Sequence, residues 1–243
     1  VCIKRKIRNR LLDAGENIFV QSDDKCIDKC KSLKARAEAN EAFGAELKKG
    51  KKADAQRGYE IACKEWMDVR SFGQVFAFKG SDLSLGIRGP VSVQPAFSVD
   101  PIDITSMQIT KSVNSEDKEG KSSDTMGMKH RVDFGVYILK GSINVQLSEK
   151  TGFTEEDAEK IKEAIRTLFV NDSSSARPDG SMVMHKLYWW KHNCKIGQYS
   201  SHKVHNSIEI KKKEGVRNPR KIEDYEIICH ELLGLAVEEY EGL

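Results

Sequence analysis

Hydrophobic residues at the start of the chain follow the spacing of a helix. Ile3, Ile7 and Leu11 lie four residues apart with basic residues around them, so we predict an amphipathic helix over residues 1–12. The short apolar run at residues 17–21 then predicts a strand. Because the helical pattern is already under way at the first residue, which is not Met, we expect the full protein to have a further N-terminal segment.

A stretch rich in Lys, Glu and Ala, residues 23–67, contains no clusters of β-branched residues. Its composition predicts two or three helices with breaks near Gly44 and Gly50. We interpret this stretch as a helical insertion into a larger fold.

The pattern changes to strands over residues 68–148, with turn residues between the apolar runs. Residues 104–113 and 129–132 are strand segments on either side of a polar stretch at residues 114–123, which has no apolar anchor. Together they predict one long hairpin over residues 104–132 with a polar tip.

Strand character continues over residues 134–147, and the clearest helix of the chain follows Thr154. This threonine can cap free backbone N–H groups, and the acidic first turn suits the positive end of the helix dipole. Further strands are predicted over residues 182–190, 207–212 and 225–229. The order of elements indicates an α+β fold. It becomes βαββαβ, as in RNA-recognition folds, if the expected N-terminal segment supplies a first strand.

Charge is segregated along the chain although it nearly cancels overall, with 40 Lys and Arg against 37 Asp and Glu. Residues 4–10 carry five positive charges and no negative one, and residues 186–221 hold ten basic residues against two acidic ones. Residues 223–243 have seven acidic residues and no Lys or Arg. This asymmetry indicates one face for a polyanion and another for a different partner, with solvated helix faces as the alternative.

Catalytic and metal-binding motifs do not stand out. The sequence has neither a Walker-type phosphate loop nor a Gly-x-Ser-x-Gly elbow. His192, Cys194, His202 and His205 are close enough in sequence to suggest a zinc site, but none forms a paired half-site. We therefore predict a protein that is not an enzyme and holds no cofactor or metal. Without a signal peptide or a long apolar span, we predict a cytoplasmic location and no membrane partner.

Two short motifs suggest close approach to a phosphate backbone. Asp68–Gly73 places an acid, a base, an aromatic residue and a glycine within six residues, so that Arg70, held by a nearby carboxylate, can bind phosphate and Phe72 can stack. Gly86–Pro90 is a similar motif, in which Arg88 lies between two glycines. A β-bulge with a buried Arg–Asp pair is the structural alternative for both motifs.

The returning arm of the predicted hairpin suggests a third nucleic-acid contact. Met126 and Met128 are followed by Lys129, His130 and Arg131, which are or can be cationic. The cations can bind phosphate, and an apolar methionine can insert between bases. The alternative is that both methionines fill gaps under the hairpin.

These segments together resemble a known family, the type I-C CRISPR Cascade backbone subunit, which binds the CRISPR RNA in many copies. The family opens with a strand and an Asn/Gly/Asp-rich loop, neither of which is found in these residues. The resemblance covers most of the chain and is weakest in the helical insertion. In chain order, it runs through Cys2–Asn9, Asp68–Gly73, Gly86–Val91, Thr125–Val132 and Glu149–Asp157.

The resemblance implies a modified RNA-recognition-like (ferredoxin-like) palm with a helical fingers insertion and a β-hairpin thumb. Family members stack along the CRISPR RNA as a filament, and each thumb folds over the RNA and kinks out a base. The guide then pairs with target DNA, alongside other Cascade subunits, in prokaryotic antiviral defence. The implied division is residues 1–22 as the start of the palm, 23–67 as fingers, 68–103 as palm strands, 104–132 as thumb, and 133–243 as the rest of the palm with C-terminal strands.

The RNA-binding residues that follow from the motifs and the resemblance form a phosphate groove and a thumb. They are Lys4, Arg5, Arg8, Arg70, Phe72, Arg88, Lys111, Met126, Met128, Lys129, His130 and Arg131. Two other functions remain open: an RNA-processing endoribonuclease of the same fold with His130 as general base, and a generic RNA-binding protein that forms no filament.

Overall fold

The computed structural model describes residues 2–113 and 126–243. They fall into two compact units, each described by itself below. Unit 1 comprises Val1–Gln94, Gly141–Ser201 and Glu231–Leu243, and unit 2 comprises Pro95–Lys140 and His202–His230. Among the described residues, no helix has both the length and the apolar character needed to cross a membrane.

Helices dominate unit 1. The predicted N-terminal helix is confirmed, and its Ile7 and Leu11 are buried in one core cluster with Ile161 and Leu168. The helices are α1 (Ile3–Asp13), α2 (Leu33–Ala39), α3 (Glu41–Leu47), α4 (Ala55–Glu65), α5 (Met67–Phe72), α6 (Val145–Thr151) and α7 (Glu155–Arg166).

The predicted strand at residues 17–21 is wrong. The segment bends at Phe19 and Val20, and its backbone partners are a side chain and a helix terminus rather than another strand. The N–H groups of Phe19 and Val20 donate to the carboxylate of Asp68, and the carbonyl of Asn17 accepts from the N–H of Met67. Phe19 is fully buried against Trp66 and other aromatic rings.

The helical insertion contains α2, α3 and α4, as predicted, but its first break is misplaced. Asn40 ends α2 and caps α3, where its side chain accepts from the N–H of Phe43. Gly44 lies inside α3, and the position requires a glycine because a Cβ there would meet the carbonyl oxygen of Glu38 at 2.4 Å. The predicted break near Gly50 is confirmed, since α3 ends before it and α4 begins after it.

Two short helices occupy stretches that were predicted as strand. α5 covers the start of the predicted strand region, so the first strand begins only at Gly73. α6 begins at Val145 because the side chain of Asn144 caps its first turn by accepting from the N–H of Leu147. The helix after Thr154 is confirmed: Thr154 and Asp157 form a reciprocal capping box at the start of α7.

Strands pair as two-stranded antiparallel ladders throughout the described residues. These ladders do not join into a larger sheet there, so the predicted βαββαβ order stays a prediction. In unit 1 the ladders are β1 (Gly73–Ala77) with β2 (Ser84–Arg88), β3 (Val91–Val93) with β8 (Gly141–Ile143), and β9 (Lys186–Trp190) with β12 (Val237–Glu241). In unit 2 they are β4 (Phe97–Ser98) with β7 (Tyr137–Ile138), β5 (Ile104–Thr110) with β6 (Met126–Val132), and β10 (Ile208–Lys212) with β11 (Tyr225–Cys229).

Unit 2 holds the long hairpin, whose two arms β5 and β6 pair from Ile104 opposite Val132 to Thr110 opposite Met126. The predicted polar stretch at residues 114–123 lies outside the described residues. The short helix α8 (Ser201–His205) leads into the second part of this unit. Tyr225 is a buried residue of the unit, and its hydroxyl donates to Asp100 at 2.8 Å.

The glycines of the two sequence motifs allow two pieces of backbone to cross closely. Gly73 has φ +76°, and a Cβ there would lie 2.2 Å from the carbonyl oxygen of Ile87. A Cβ on Gly89 would lie 2.3 Å from the carbonyl oxygen of Ser71 and 2.5 Å from the N of Gly73. A Cβ on Gly86, by contrast, would have open space around it to a distance of 4 Å.

We predict that Gly89→Ala lowers the free energy of unfolding by about 2 kcal/mol, because the added methyl group must displace backbone rather than a flexible side chain. Gly86→Ala, three residues away on β2, is the matched control and should change stability by less than about 0.5 kcal/mol. Chemical denaturation of both variants measures the difference. If Gly89→Ala and Gly86→Ala were equally stable, the close backbone approach at Gly89 would be contradicted.

Candidate nucleic-acid interface

A buried carboxylate organises the predicted binding residues of unit 1. Asp68, in the first turn of α5, is fully buried, and its Oδ2 accepts from Arg8 Nε at 2.8 Å. Its two oxygens also accept from the N–H groups of Phe19 at 2.7 Å and Val20 at 3.1 Å. A carboxylate with three donors holds the arginine in one orientation.

Lys4 and Arg8 lie against one aromatic ring. They are four residues apart on α1, so their side chains leave the same face of the helix. The Arg8 guanidinium carbon is 5.1 Å from the centroid of the Phe72 ring, and Lys4 Nζ is 5.5 Å from it. All three side chains are partly exposed. The structure therefore brings together three of the predicted binding residues, two cations and an aromatic ring.

Arg88 extends this group along the β1–β2 ladder. It lies opposite Gly73, the residue that follows Phe72, and it is exposed at the end of β2. Its neighbour on the same outward face is Gly86, which leaves the backbone accessible. We call Lys4, Arg8, Phe72 and Arg88 the cationic patch.

Arg70 has a different partner from the one its motif suggested. Its Nε and Nη2 donate to the two oxygens of Asp157 at 2.8 Å each, which ties α5 to the start of α7. Asp68 of the same motif binds Arg8 instead. Burial raises the pKa of Asp157, but the bonds from Arg70 and the N–H of Thr154 outweigh it and hold that pKa below its ordinary value. Two of the five N–H donors of Arg70 are thus used within the fold.

Arg5 is exposed on α1 but lies one residue after Lys4, and therefore about 100° around the helix from it. Nothing brings Arg5 to the Phe72 ring among the contacts of the described residues. The pairings of Arg8 with Asp68 and of Arg70 with Asp157 span 60 and 87 residues, and no local pattern signals either one. The four-residue spacing of Lys4 and Arg8 was the one available signal that these two share a face.

The hairpin of unit 2 carries its predicted residues on two opposite faces. Alternate residues of a strand point to opposite sides, so Met126, Met128 and His130 share one face, which we call the methionine face. Lys129 and Arg131 lie on the other, the basic face.

Both faces of the hairpin are accessible. Every residue of β6 is exposed, including Met126 at 63% and Met128 at 57%, so neither methionine fills a gap under the hairpin. Lys111, which follows β5, is exposed as well.

Side-chain contacts on the described arms of the hairpin include one at Met126, whose sulfur accepts from the side-chain nitrogen of Gln108. His130 Nδ1 lies 2.8 Å from the hydroxyl oxygen of Ser106 on the facing strand. Arg131 Nε donates to Asp133 at 2.7 Å, which also accepts from the hydroxyl of Thr105. Lys129 faces Met107 across the ladder.

Metal binding receives no geometric support from the part of the chain that the structure describes. Within residues 2–113 and 126–243, no group of three or more His, Cys, Asp or Glu side chains is arranged to hold a metal ion. His192 instead accepts from the N–H of Gln198, and His202 lies 3.0 Å from the side-chain nitrogen of Asn206.

Comparison with known proteins points to one family. A family model described as CRISPR-associated protein Cas7 matches residues 1–230. Among solved structures, the chain is similar to a chain of a "CRISPR RNA-guided surveillance complex, pre-nicking", with 19% sequence identity and a TM-score of 0.35. The alignment covers 72% of this chain and 56% of that chain, so this chain spans little more than half the length of that relative. No curated protein matches the chain.

We predict that the Arg70–Asp157 pair makes stability depend on acid pH. A lowered folded-state pKa means that the ionised Asp157 stabilises the fold above the ordinary Asp value of about 4 and loses this effect as pH falls through the lowered value. Asp157→Asn should cost about 3 kcal/mol at pH 7, and the gap from the wild type should narrow below pH 4.

Urea denaturation of both proteins at several pH values measures this gap. Asp103→Asn, at an exposed carboxylate, serves as the control and should change stability by less than about 0.5 kcal/mol. A gap between wild type and Asp157→Asn that stays constant down to pH 3 would contradict the assignment.

Proposed function

Because the chain belongs to the CRISPR-associated protein Cas7 family, we propose that it is the CRISPR RNA-binding backbone subunit of a type I Cascade surveillance complex, of subtype I-C. In this function several copies line one guide RNA, which pairs with target DNA in antiviral defence in the prokaryotic cytoplasm. Its partners are the CRISPR RNA, further copies of itself, other Cascade subunits and, through the guide, target DNA. The chain acts as a scaffold and not as an enzyme.

The observation that carries the proposal is the packing of Lys4 and Arg8 against Phe72. A guide-binding protein must accept any spacer sequence, so its contacts go to phosphates and base faces rather than to base edges. Two cations beside a partly exposed ring offer both kinds of contact at one place. Arg88 adds a third, exposed cation along the adjoining ladder.

The hairpin fits the role of a thumb. Its basic face, with Lys129 and Arg131, is suited to phosphates. Its methionine face exposes two flexible apolar side chains, Met126 and Met128, which can insert between bases. Since the two methionines share a face, they act together on one side of the hairpin, and Lys111 and His130 supply further polar contacts.

In this proposal, Arg5 and Arg70 have roles that differ from those of the residues in the cationic patch. Arg70 uses Nε and Nη2 for Asp157, so its contribution to RNA binding is indirect, through the position of α5. Arg5 contacts RNA from another side of α1. The proposal also includes the division made from the sequence. Residues 1–22, 68–103 and 133–243 form an RNA-recognition-like palm, residues 23–67 the fingers, and residues 104–132 the thumb.

The endoribonuclease alternative gains no support from the surroundings of His130. Its side-chain partner is the hydroxyl of Ser106, and no carboxylate pairs with it among the described residues. A general base at this position would therefore be oriented by a hydroxyl, with no carboxylate among the described residues to stabilise its charged form.

We predict that the double variant Lys4→Gln with Arg88→Gln weakens binding to single-stranded RNA of every sequence and flattens its salt dependence. Two lost phosphate contacts reduce the slope of log affinity against log salt by about 1.4, at about 0.7 per contact. Fluorescence anisotropy with labelled RNAs of unrelated sequence over a salt series measures this slope.

The matched control removes the same charge elsewhere in unit 1. Lys51 and Lys52 are exposed residues between α3 and α4, and Lys51→Gln with Lys52→Gln should leave the slope unchanged. Melting curves verify that both double variants fold. The cationic patch is not the RNA site if the two variants bind alike.

A further inference from the structure

The loop before α2 is held by one arginine. Arg36 is buried, and its Nε and Nη2 donate to the two oxygens of Asp28 at 2.6 and 2.8 Å. Nη2 also donates to the carbonyl of Cys30 at 3.2 Å, and Nη1 donates to the carbonyl of Phe19 at 2.9 Å. The loop thus wraps around a guanidinium group that the proposed RNA-binding function does not use.

Two free thiols belong to this arrangement. Cys26 Sγ lies 3.4 Å from Arg36 Nη2, and it also lies 3.8 Å from the carbonyl oxygen of Cys30. Cys26 is exposed and Cys30 is partly exposed, so both can be reached from solvent. The backbone of Cys30 is already next to the sulfur of Cys26, and no residue of the short turn Asp23–Lys25 that leads into Cys26 is buried.

We propose that Cys26 and Cys30 form an oxidisable dithiol that reacts with hydroperoxides and closes a disulfide across this loop. The thiolate of Cys26 attacks one oxygen of the hydroperoxide, breaks the O–O bond and becomes a sulfenic acid, while the second oxygen leaves as hydroxide or alkoxide and takes up a proton. The thiol of Cys30 then attacks the sulfenic sulfur, forms the S–S bond and releases water. Two thiols are oxidised by two electrons and one hydroperoxide is reduced.

The surroundings assign different roles to the two sulfurs. Cys26 is the more exposed of the two thiols, so we assign it the first attack; its sulfur lies 3.4 Å from Arg36 Nη2 and 3.2 and 3.5 Å from the carbonyl and carboxylate oxygens of Asp28. Partial burial and the nearby Asp28 carboxylate raise the pKa of the Cys30 thiol, and we assign Cys30 the second step. Exposed Cys2 and Cys194 provide an internal comparison, because neither makes an arginine contact among the described residues.

The experiment is peptide mapping under non-reducing conditions after exposure of the whole chain to hydrogen peroxide, with free thiols blocked by alkylation. We expect the Cys26–Cys30 disulfide, seen as a loss of two hydrogens from one loop peptide, to form several-fold faster than Cys2 or Cys194 is oxidised. In Cys30→Ser, Cys26 should stop at the sulfenic acid and be captured by dimedone. Cys194→Ser is the matched control and should leave the loop disulfide unchanged.

Three results would overturn the proposal. One is oxidation of Cys26 no faster than that of Cys194, and a second is the absence of dimedone capture at Cys26 in Cys30→Ser. The third is a disulfide that joins two chains instead of closing the loop. None of these outcomes depends on RNA binding, so the dithiol proposal is tested independently of the proposed function.

Discussion

The buried carboxylate of Asp68 is the interaction on which the rest of unit 1 depends. It joins α5, on which it lies, to two segments 48 to 60 residues earlier in the chain: α1 through Arg8, and the bend at Phe19 and Val20. Removing its charge would leave a cation and two backbone N–H groups without their acceptor in a largely buried place, at a cost of about 3–5 kcal/mol. The same contact orients Arg8 beside Phe72, so the fold and the candidate RNA site depend on one side chain.

Local patterns in the sequence predicted where several elements lie, even where the contacts that stabilise them are distant, as for Ile7 and Leu11 of α1 against Ile161 and Leu168. The apolar spacing of α1, the capping box of α7 and the two arms of the hairpin all follow from residues close together in the chain. The strand predicted at residues 17–21 was wrong because two of its N–H groups donate to a side chain 48 and 49 residues later. A local pattern of hydrophobic and polar residues cannot reveal such a partner. The strand β12 was missed because four of its five residues are exposed and three are acidic, so that it lacks an apolar pattern.

The candidate site was predictable as a list of residues but not as an arrangement. Phe72 and Arg88 were identified from their motifs, and Lys4 and Arg8 from the family resemblance. The motif of Arg70 suggested a carboxylate partner close by in sequence, whereas its partner is Asp157. Its motif contains an acid and an arginine, yet each pairs outside the motif. Phosphate binding by Arg70 stays a prediction.

The structure shows how part of the acidic C-terminal segment is paired with basic residues. The acidic C-terminal strand is paired within unit 1, where Glu239 and Glu241 contact Lys186 on β9 and Glu238 contacts Lys162 on α7. Part of the acidic and basic complementarity seen in the sequence therefore stabilises a single chain. A contact between copies must use the charges that remain.

Native mass spectrometry of the chain with single-stranded RNAs of increasing length measures whether many copies coat one RNA, as we propose. We expect the number of bound chains to rise in whole steps as the RNA lengthens, with the same step for unrelated sequences. One chain per RNA at every length, or binding to one sequence alone, would contradict it.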